Sequence, residues 1–247
     1  GSAVTSGTGS VTYDGTAPTV SSVSIASNNS TTTLAVANDV VTLTFTASET
    51  IATPVVTFLS GGSAITDTPV TYTNTIGNTW TAAYTANASD TAGSVTYSIA
   101  FSDTAGNAGS AVTSGTGSVT YDGTAPTVAL SGPTDIVTDA FSVTATFSEN
   151  VKSFNLGDIT VTNGTASALN AEKEVGKYTF TVTPKLGTTV SISIDAGVVV
   201  DDAGNANTAS NTLSVQAGSP ESYFAEQEAE IKAIITQDAT RSLTSTL

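Results

Sequence analysis

Apolar and polar residues alternate in short runs along most of this chain. Val41, Leu43 and Phe45 are separated by threonines, and Phe141, Val143, Ala145 and Phe147 by Ser and Thr. Trp80-Ala82-Tyr84, Val95-Tyr97-Ile99-Phe101, Tyr178-Phe180-Val182 and Val190-Ile192-Ile194 continue the pattern. A period of two places one set of side chains on a single face of a strand, so each run predicts a half-buried β-strand. Trp80, inside such a run, reads as a core residue. Gly, Asn and Asp clusters punctuate the runs at short intervals, the signature of a β-sandwich. β-Branched residues crowd nearly every segment and argue against helices. After Gly218 the period changes. Ser219-Pro220-Glu221 supplies an N-cap, a proline at the first helical position and an acidic first turn. Phe224, Ile231, Ile235 and Ala239 follow at helical spacing. They predict an amphipathic helix of about 20 residues, whose apolar stripe should pack on the preceding sandwich, on a partner helix or on a downstream segment.

The chain also repeats itself. Gly1–Val20 reads GSAVTSGTGSVTYDGTAPTV, and Gly109–Val128 is identical letter for letter, an offset of 108 residues. That is the size of one all-β domain and marks a tandem array. The fold class is therefore all-β: tandem immunoglobulin-like β-sandwiches followed by a C-terminal amphipathic α-helix. Residues 1–13 read as the terminal strand of a preceding repeat, 14–121 as a first sandwich, 122–217 as a second, and 218–247 as a helical tail or linker.

Composition removes several kinds of chemistry. The chain has no Cys, His or Met, which excludes disulfides, thiol nucleophiles and a Ser-His-Asp triad. The net charge is −15, and residues 1–151 hold ten carboxylates and no Lys or Arg. Nucleic acid and anionic membranes need the opposite sign. No apolar run approaches the roughly 20 residues that span a bilayer. No signal peptide is legible, so export through ends outside this sequence or through a C-terminal signal is expected. A glycan cleft would want aromatic platforms, which are scarce here, and no phosphate-cradling loop precedes a helix. A Lys–Asn isopeptide cross-link is impossible in the first sandwich, which has no Lys. No catalytic residue is assigned, and a non-enzymatic protein is expected.

Three acidic motifs recur once per domain in the same order. The linker is Asp14-Gly15-Thr16-Ala17-Pro18, then Asp122-Gly123-Thr124-Ala125-Pro126. Near the end of the second strand stands Glu49, then Glu149. Before the last strand comes Asp-x-Ala-Gly-Asn, as Asp103–Asn107 and Asp201–Asn205. In an immunoglobulin-like sandwich the start of the first strand, the B–C loop and the F–G loop share one end. The linker Asp, the B–C Glu and the F–G Asp should therefore converge. Each motif is also ordinary turn chemistry, but their convergence without a basic neighbour fits Ca²⁺. That ion takes six to eight oxygens from carboxylates, carbonyls and Asn side chains, here Asn107 and Asn205. Asp90, expected in the E–F loop, is a further ligand candidate for the ion of the second domain, and Asp202 offers that domain a second acid.

The DGTAP linker, the FSENV strand end and the VDDAGN turn resemble bacterial Ig-like repeats of large cell-surface adhesins and biofilm-associated proteins, over roughly residues 1–216. The resemblance implies Ca²⁺ at repeat junctions, an extracellular cell-surface location and a stalk or spacer function. Neighbouring repeats of the same chain would be its partners, with self-association possible in principle and no nucleic acid or inserted membrane. The second sandwich departs in having two fewer residues between its Phe147 and Glu149 than lie between Phe45 and Glu49. The tail, ending DATRSLTSTL, is similar to helical segments near outer-membrane anchors of bacterial surface proteins. Two alternatives are a self-assembling surface-layer or filament subunit joined by strand exchange, and an accessory binding module of a secreted glycan-active enzyme.

Overall fold

The computed structural model describes residues 9, 11–66 and 69–244. The chain divides into two compact units, Gly1–Thr124 and Ala125–Leu247. The expected terminal strand at 1–13 falls largely outside the described residues. Val11, Thr12 and Tyr13 carry no strand and are exposed.

The first unit contains β1 (Val20–Ser27), β2 (Leu34–Ala35), β3 (Val40–Ala47), β4 (Val55–Ser60), β5 (Ser63–Ala64), β6 (Thr71–Ile76), β7 (Thr79–Thr85), β8 (Gly93–Ala100) and β9 (Thr120–Tyr121). They form two sheets, β1-β3-β7-β6 and β2-β9-β8-β4-β5. The alternation read from the sequence sets which face is buried. Val41, Leu43 and Phe45 of β3 are fully buried, and Tyr84, Ala82 and Trp80 stand opposite them on β7. Val56, Phe58, Val95 and Ile99 close the core from the other sheet. Phe58 and Tyr84 stack across it at 4.9 Å between ring centroids. Full burial of side chains this size stabilises by roughly 1.5–3 kcal/mol each.

The closing strand of this unit is irregular. Residues 108–121 run past β8 through isolated bridges, Ser102↔Ala108 and Ile99↔Val112, before pairing as β9. Their other edge pairs in parallel, with β1 through Ser24↔Thr116 and then with β2 through β2↔β9. Backbone bonds run from Thr116 N to Val23 O (2.8 Å), Ile25 N to Thr116 O (3.1 Å), Thr120 N to Thr33 O (2.9 Å) and Asp122 N to Ala35 O (2.8 Å). Glycines make this close approach possible. A Cβ at Gly115 would sit 2.6 Å from the Val23 carbonyl oxygen, and one at Gly117 (φ +77°) would collide with that of Ile25.

The second unit contains β10 (Val128–Ser131), β11 (Phe141–Phe147), β12 (Ile159–Thr162), β13 (Gly164–Ala171), β14 (Lys177–Pro184), β15 (Thr188–Ile194) and β16 (Leu213–Ala217), in sheets β10-β11-β14-β13 and β12-β15-β16. Phe147, Phe154 and Tyr178 meet edge-to-face with centroids 4.9–5.9 Å apart, a geometry worth about 0.5–1.5 kcal/mol per pair beyond area. Val137, in the segment between β10 and β11, meets β16 in parallel through an isolated bridge to Ala217, held by Val137 N to Gln216 O and Gly218 N to Val137 O, both 2.9 Å, and Thr208 N bonds Pro126 O (2.9 Å) just before β10.

Register corrects one sequence reading. Val20 pairs with Ala47 in the first unit, and Val128 pairs with Phe147 in the second. Ala47, and not Phe45, is thus the counterpart of Phe147, and no residues are missing before Glu149. The shared phenylalanine letter had suggested a false alignment.

Helix α1 (Pro220–Thr244) is 25 residues long. Residues 224–237 are all exposed, including Phe224 (66%), Ile231 (54%) and Ile235 (62%). The stripe therefore does not pack on the sandwich, one of the three places expected for it. Glu228 falls within the stripe formed by Phe224, Ile231 and Ile235 and narrows it. No helix among the described residues is long and apolar enough to cross a membrane.

Candidate metal centre

Each linker is fastened to the end of the second strand before its acid is placed. Ser48 donates its N–H to Thr19 O (2.8 Å) and accepts Thr19 N–H on Oγ (3.0 Å). Ser148 repeats both bonds with Thr127, at 2.9 and 3.0 Å. The residue after each serine is the acid, Glu49 or Glu149. The latch has a signal in the sequence, a Ser-Glu pair in both copies, that the acidic motifs alone do not single out. The loop after the Glu is then pinned to the F–G turn, through Ala52 N to Ser102 O (2.9 Å) in one domain and Lys152 N to Val200 O (2.8 Å) in the other.

The F–G aspartates are buried, Asp103 at 3% exposure and Asp201 at 1%. Asp103 Oδ1 accepts the N–H groups of Gly106 (2.7 Å) and Asn107 (2.8 Å), and Oδ2 accepts Asn107 Nδ2 (2.7 Å). Asp201 repeats the set with Gly204 (2.6 Å), Asn205 N (2.9 Å) and Asn205 Nδ2 (2.9 Å). The Asn107 side-chain bond, helped by the backbone N–H groups of Asn107, Gly106 and Ala105, holds the Asp103 carboxyl below its ordinary range, while burial opposes that. The linker aspartates brace their own turns. Asp14 Oδ1 accepts Thr16 N–H and Asp122 Oδ1 accepts Thr124 N–H, both at 3.0 Å.

The result is two matching groups. Asp14, Glu49 and Asp103 present ligand atoms that all lie within 4.8 Å of one another, and so do Asp122, Glu149 and Asp201. Oxygens bound to one Ca²⁺ at about 2.3–2.6 Å are at most about 5 Å apart, so each group fits a single ion of that size. Carboxylates this close repel unless a cation or a proton intervenes.

The other expected ligands are placed differently. Asn107 Nδ2 is directed at Asp103 and at Asp14 O (3.0 Å), and Asn205 Nδ2 at Asp201. Both asparagines thus donate Nδ2 to the aspartate of their own turn and fix its carboxylate. Asp90 lies outside both groups and is buried. Its Oδ1 accepts Thr66 N–H (2.8 Å) and the Thr66 hydroxyl (2.9 Å), and its Oδ2 accepts Asn87 N–H (2.9 Å). It holds the E–F turn. Asp202 also lies outside, 62% exposed, 3.5 Å from Lys152 Nζ and accepting Asn150 Nδ2 at 3.4 Å. At that exposure the pair contributes little.

Residues 122–217 match the family model described as bacterial Ig-like domain. No curated protein matches the sequence. Among solved structures, an I-band fragment of titin shares 12% identity over 82% of this chain, with a TM-score of 0.37. The full ectodomain of mouse nectin-like molecule 4 shares 14% over 83%, with a TM-score of 0.34. Yersinia pseudotuberculosis InvD shares 18% over 79%, with a TM-score of 0.34. The chain spans 66%, 66% and 58% of those three chains. The two acidic groups thus sit on an all-β, Ig-like fold whose residues 122–217 are similar to the bacterial Ig-like domain family.

Proposed function

We propose that this chain is a non-enzymatic spacer segment of a bacterial cell-surface adhesin, in which Ca²⁺ bound at each linker stiffens the array. The observation that carries the reading is the recurrence of one Asp–Glu–Asp group at both linkers, assembled from the same three loops each time. A cation shared by the linker Asp, the B–C Glu and the F–G Asp replaces carboxylate repulsion with common coordination. The linker then loses freedom relative to the loops it joins. The absence of basic residues from 1–151 supports the same reading, since no side chain there can neutralise the acids. Export to the cell surface, where calcium is plentiful, accords with the family and with a cysteine-free chain.

Calcium titration followed by calorimetry tests this. Two ions should bind, and the melting temperature should rise with calcium by RT ln(1 + [L]/Kd) in free energy, about 2.7 kcal/mol at a hundredfold excess over Kd. Asp122→Ala with Asp201→Ala should remove one ion and leave the Asp14–Glu49–Asp103 site. Small-angle scattering should show a narrower distribution of dimensions with calcium than with chelator. Identical profiles would sink the stiffening role, and absence of binding would sink the metal itself.

A further inference from the structure

A single residue turns the chain from one sheet of the second domain to the other. β12 ends at Thr162, paired with Ser191, and β13 begins at Gly164, paired with Pro184. Asn163 stands between them, exposed and with a φ of +61°, a left-handed conformation that Asn tolerates better than most residues. We infer that Asn163-Gly164 is a self-modification site, at which water converts the asparagine to aspartate and isoaspartate and unfastens this corner.

Asn163 is the one asparagine of the sequence that precedes a glycine. The Gly164 nitrogen therefore attacks without a neighbouring Cβ to hinder it. Both residues line an open cleft of about 460 Å³ that also includes Lys185, which admits water and hydroxide. The side-chain amide is lightly held, its Nδ2 donating to Thr189 O (2.9 Å). Asn207 offers the contrast: its Nδ2 donates to Asp195 O and Thr208 O, and its Oδ1 accepts the N–H groups of Val198 and Val199. In the first step the Gly164 nitrogen loses its proton to hydroxide and bonds to Asn163 Cγ. The Cγ–Nδ2 bond breaks, and ammonia leaves with a proton from water. The cyclic imide then takes up one water. Opening at Cγ gives aspartate, and opening at the main-chain carbonyl carbon gives isoaspartate. One water is consumed and one ammonia released, with no oxidant or reductant.

Neither product holds the corner as the amide does. An ionised carboxylate only accepts, so Thr189 O loses its donor and faces a second acceptor. Asn163 O also accepts Lys185 N–H (2.7 Å). In isoaspartate that carbonyl becomes a free carboxylate, and the main chain runs one atom longer through Cβ and Cγ. Gly164 cannot absorb the added length, because it lies so close to Thr183 that a Cβ would stand 2.9 Å from its carbonyl oxygen. The reaction thus adds negative charge and loosens the crossing between the two sheets.

The test incubates the full chain in alkaline buffer and maps it by proteolysis and mass spectrometry. Asn163 should gain about 1 Da, as a mixture of aspartate and isoaspartate, at a rate proportional to hydroxide. It should react on the order of tenfold faster than any other asparagine. Asn163→Gln should abolish the gain at this position, since its imide would need a larger ring, and Gly164→Ala should slow it severalfold. Asn163→Asp, which installs one product directly, should lower the melting temperature of the second domain. It should also speed amide exchange in residues 159–165 and 185–191. The inference is overturned if another asparagine reacts first or if Asn163 stays intact. It is equally overturned if Asn163→Asp melts and exchanges as the unaltered chain does.

Discussion

Asp103 accepts three hydrogen bonds from its own turn while facing two other acids. Its carboxyl titrates below the ordinary Asp value of about 3.9. The sign of the linkage follows: the charged form is favoured in the folded state, so its stabilisation is complete above the unfolded value and is lost as pH falls through the folded one. Carbon-detected titration should place Asp103 below a random-coil Asp, and Asp103→Asn should flatten the acid limb of the stability curve. Tyr84 and Tyr121 behave in the opposite way. Both hydroxyls are buried without a hydrogen-bond partner, and burial, then the charge of Asp90, raises each above 10. Stability tied to them is intact below about pH 10 and declines as pH rises beyond it. Because a buried, unpartnered hydroxyl costs about 1–3 kcal/mol, Tyr84→Phe should leave the unfolding free energy unchanged or raise it. A denaturant titration that showed a loss would point to an unrecognised partner.

Within single elements, the glycines separate tight positions from open ones. Gly117 and Gly187 share a positive φ (+77° and +76°), but only Gly117 also has a carbonyl in the path of a Cβ. Gly187→Ala should cost on the order of 1 kcal/mol from backbone strain alone. Gly117→Ala should cost distinctly more, and chemical denaturation of the two variants measures the difference. Element by element, the strands were legible because alternation is a local signal: Val41, Leu43, Phe45, Val190, Ile192 and Ile194 all point inward as read. Residues 108–119 were harder, since their pairing depends on isolated bridges to two neighbours that no local pattern encodes. The Phe45–Phe147 misalignment has the same origin, because register is fixed by a partner strand and not by the letters of one strand.

For the whole molecule, the convergence of linker, B–C and F–G acids was visible in the sequence because topology brings those three loops together. What the asparagines and Asp90 do was not visible. An amide carries a donor and an acceptor under one letter, and only the fold decides which group each of them meets. The same holds for helix α1, whose apolar spacing was read correctly while its exposure depends on how much stripe Glu228 leaves.

The parallel contact between first and closing strands has a mechanical meaning. When the chain is stretched from its two ends, parallel terminal strands are dragged along each other, so their rungs bear the load together and must break nearly at once. In the first domain four such backbone bonds, two to β1 and two to residues 33 and 35, are spread from Val23 to Asp122, whereas in the second two lie together at Val137 and one joins Thr208 to Pro126. Single-molecule stretching in chelator should therefore give two unequal rupture events, with residues 125–217 yielding at the lower force and residues 14–124 holding until later.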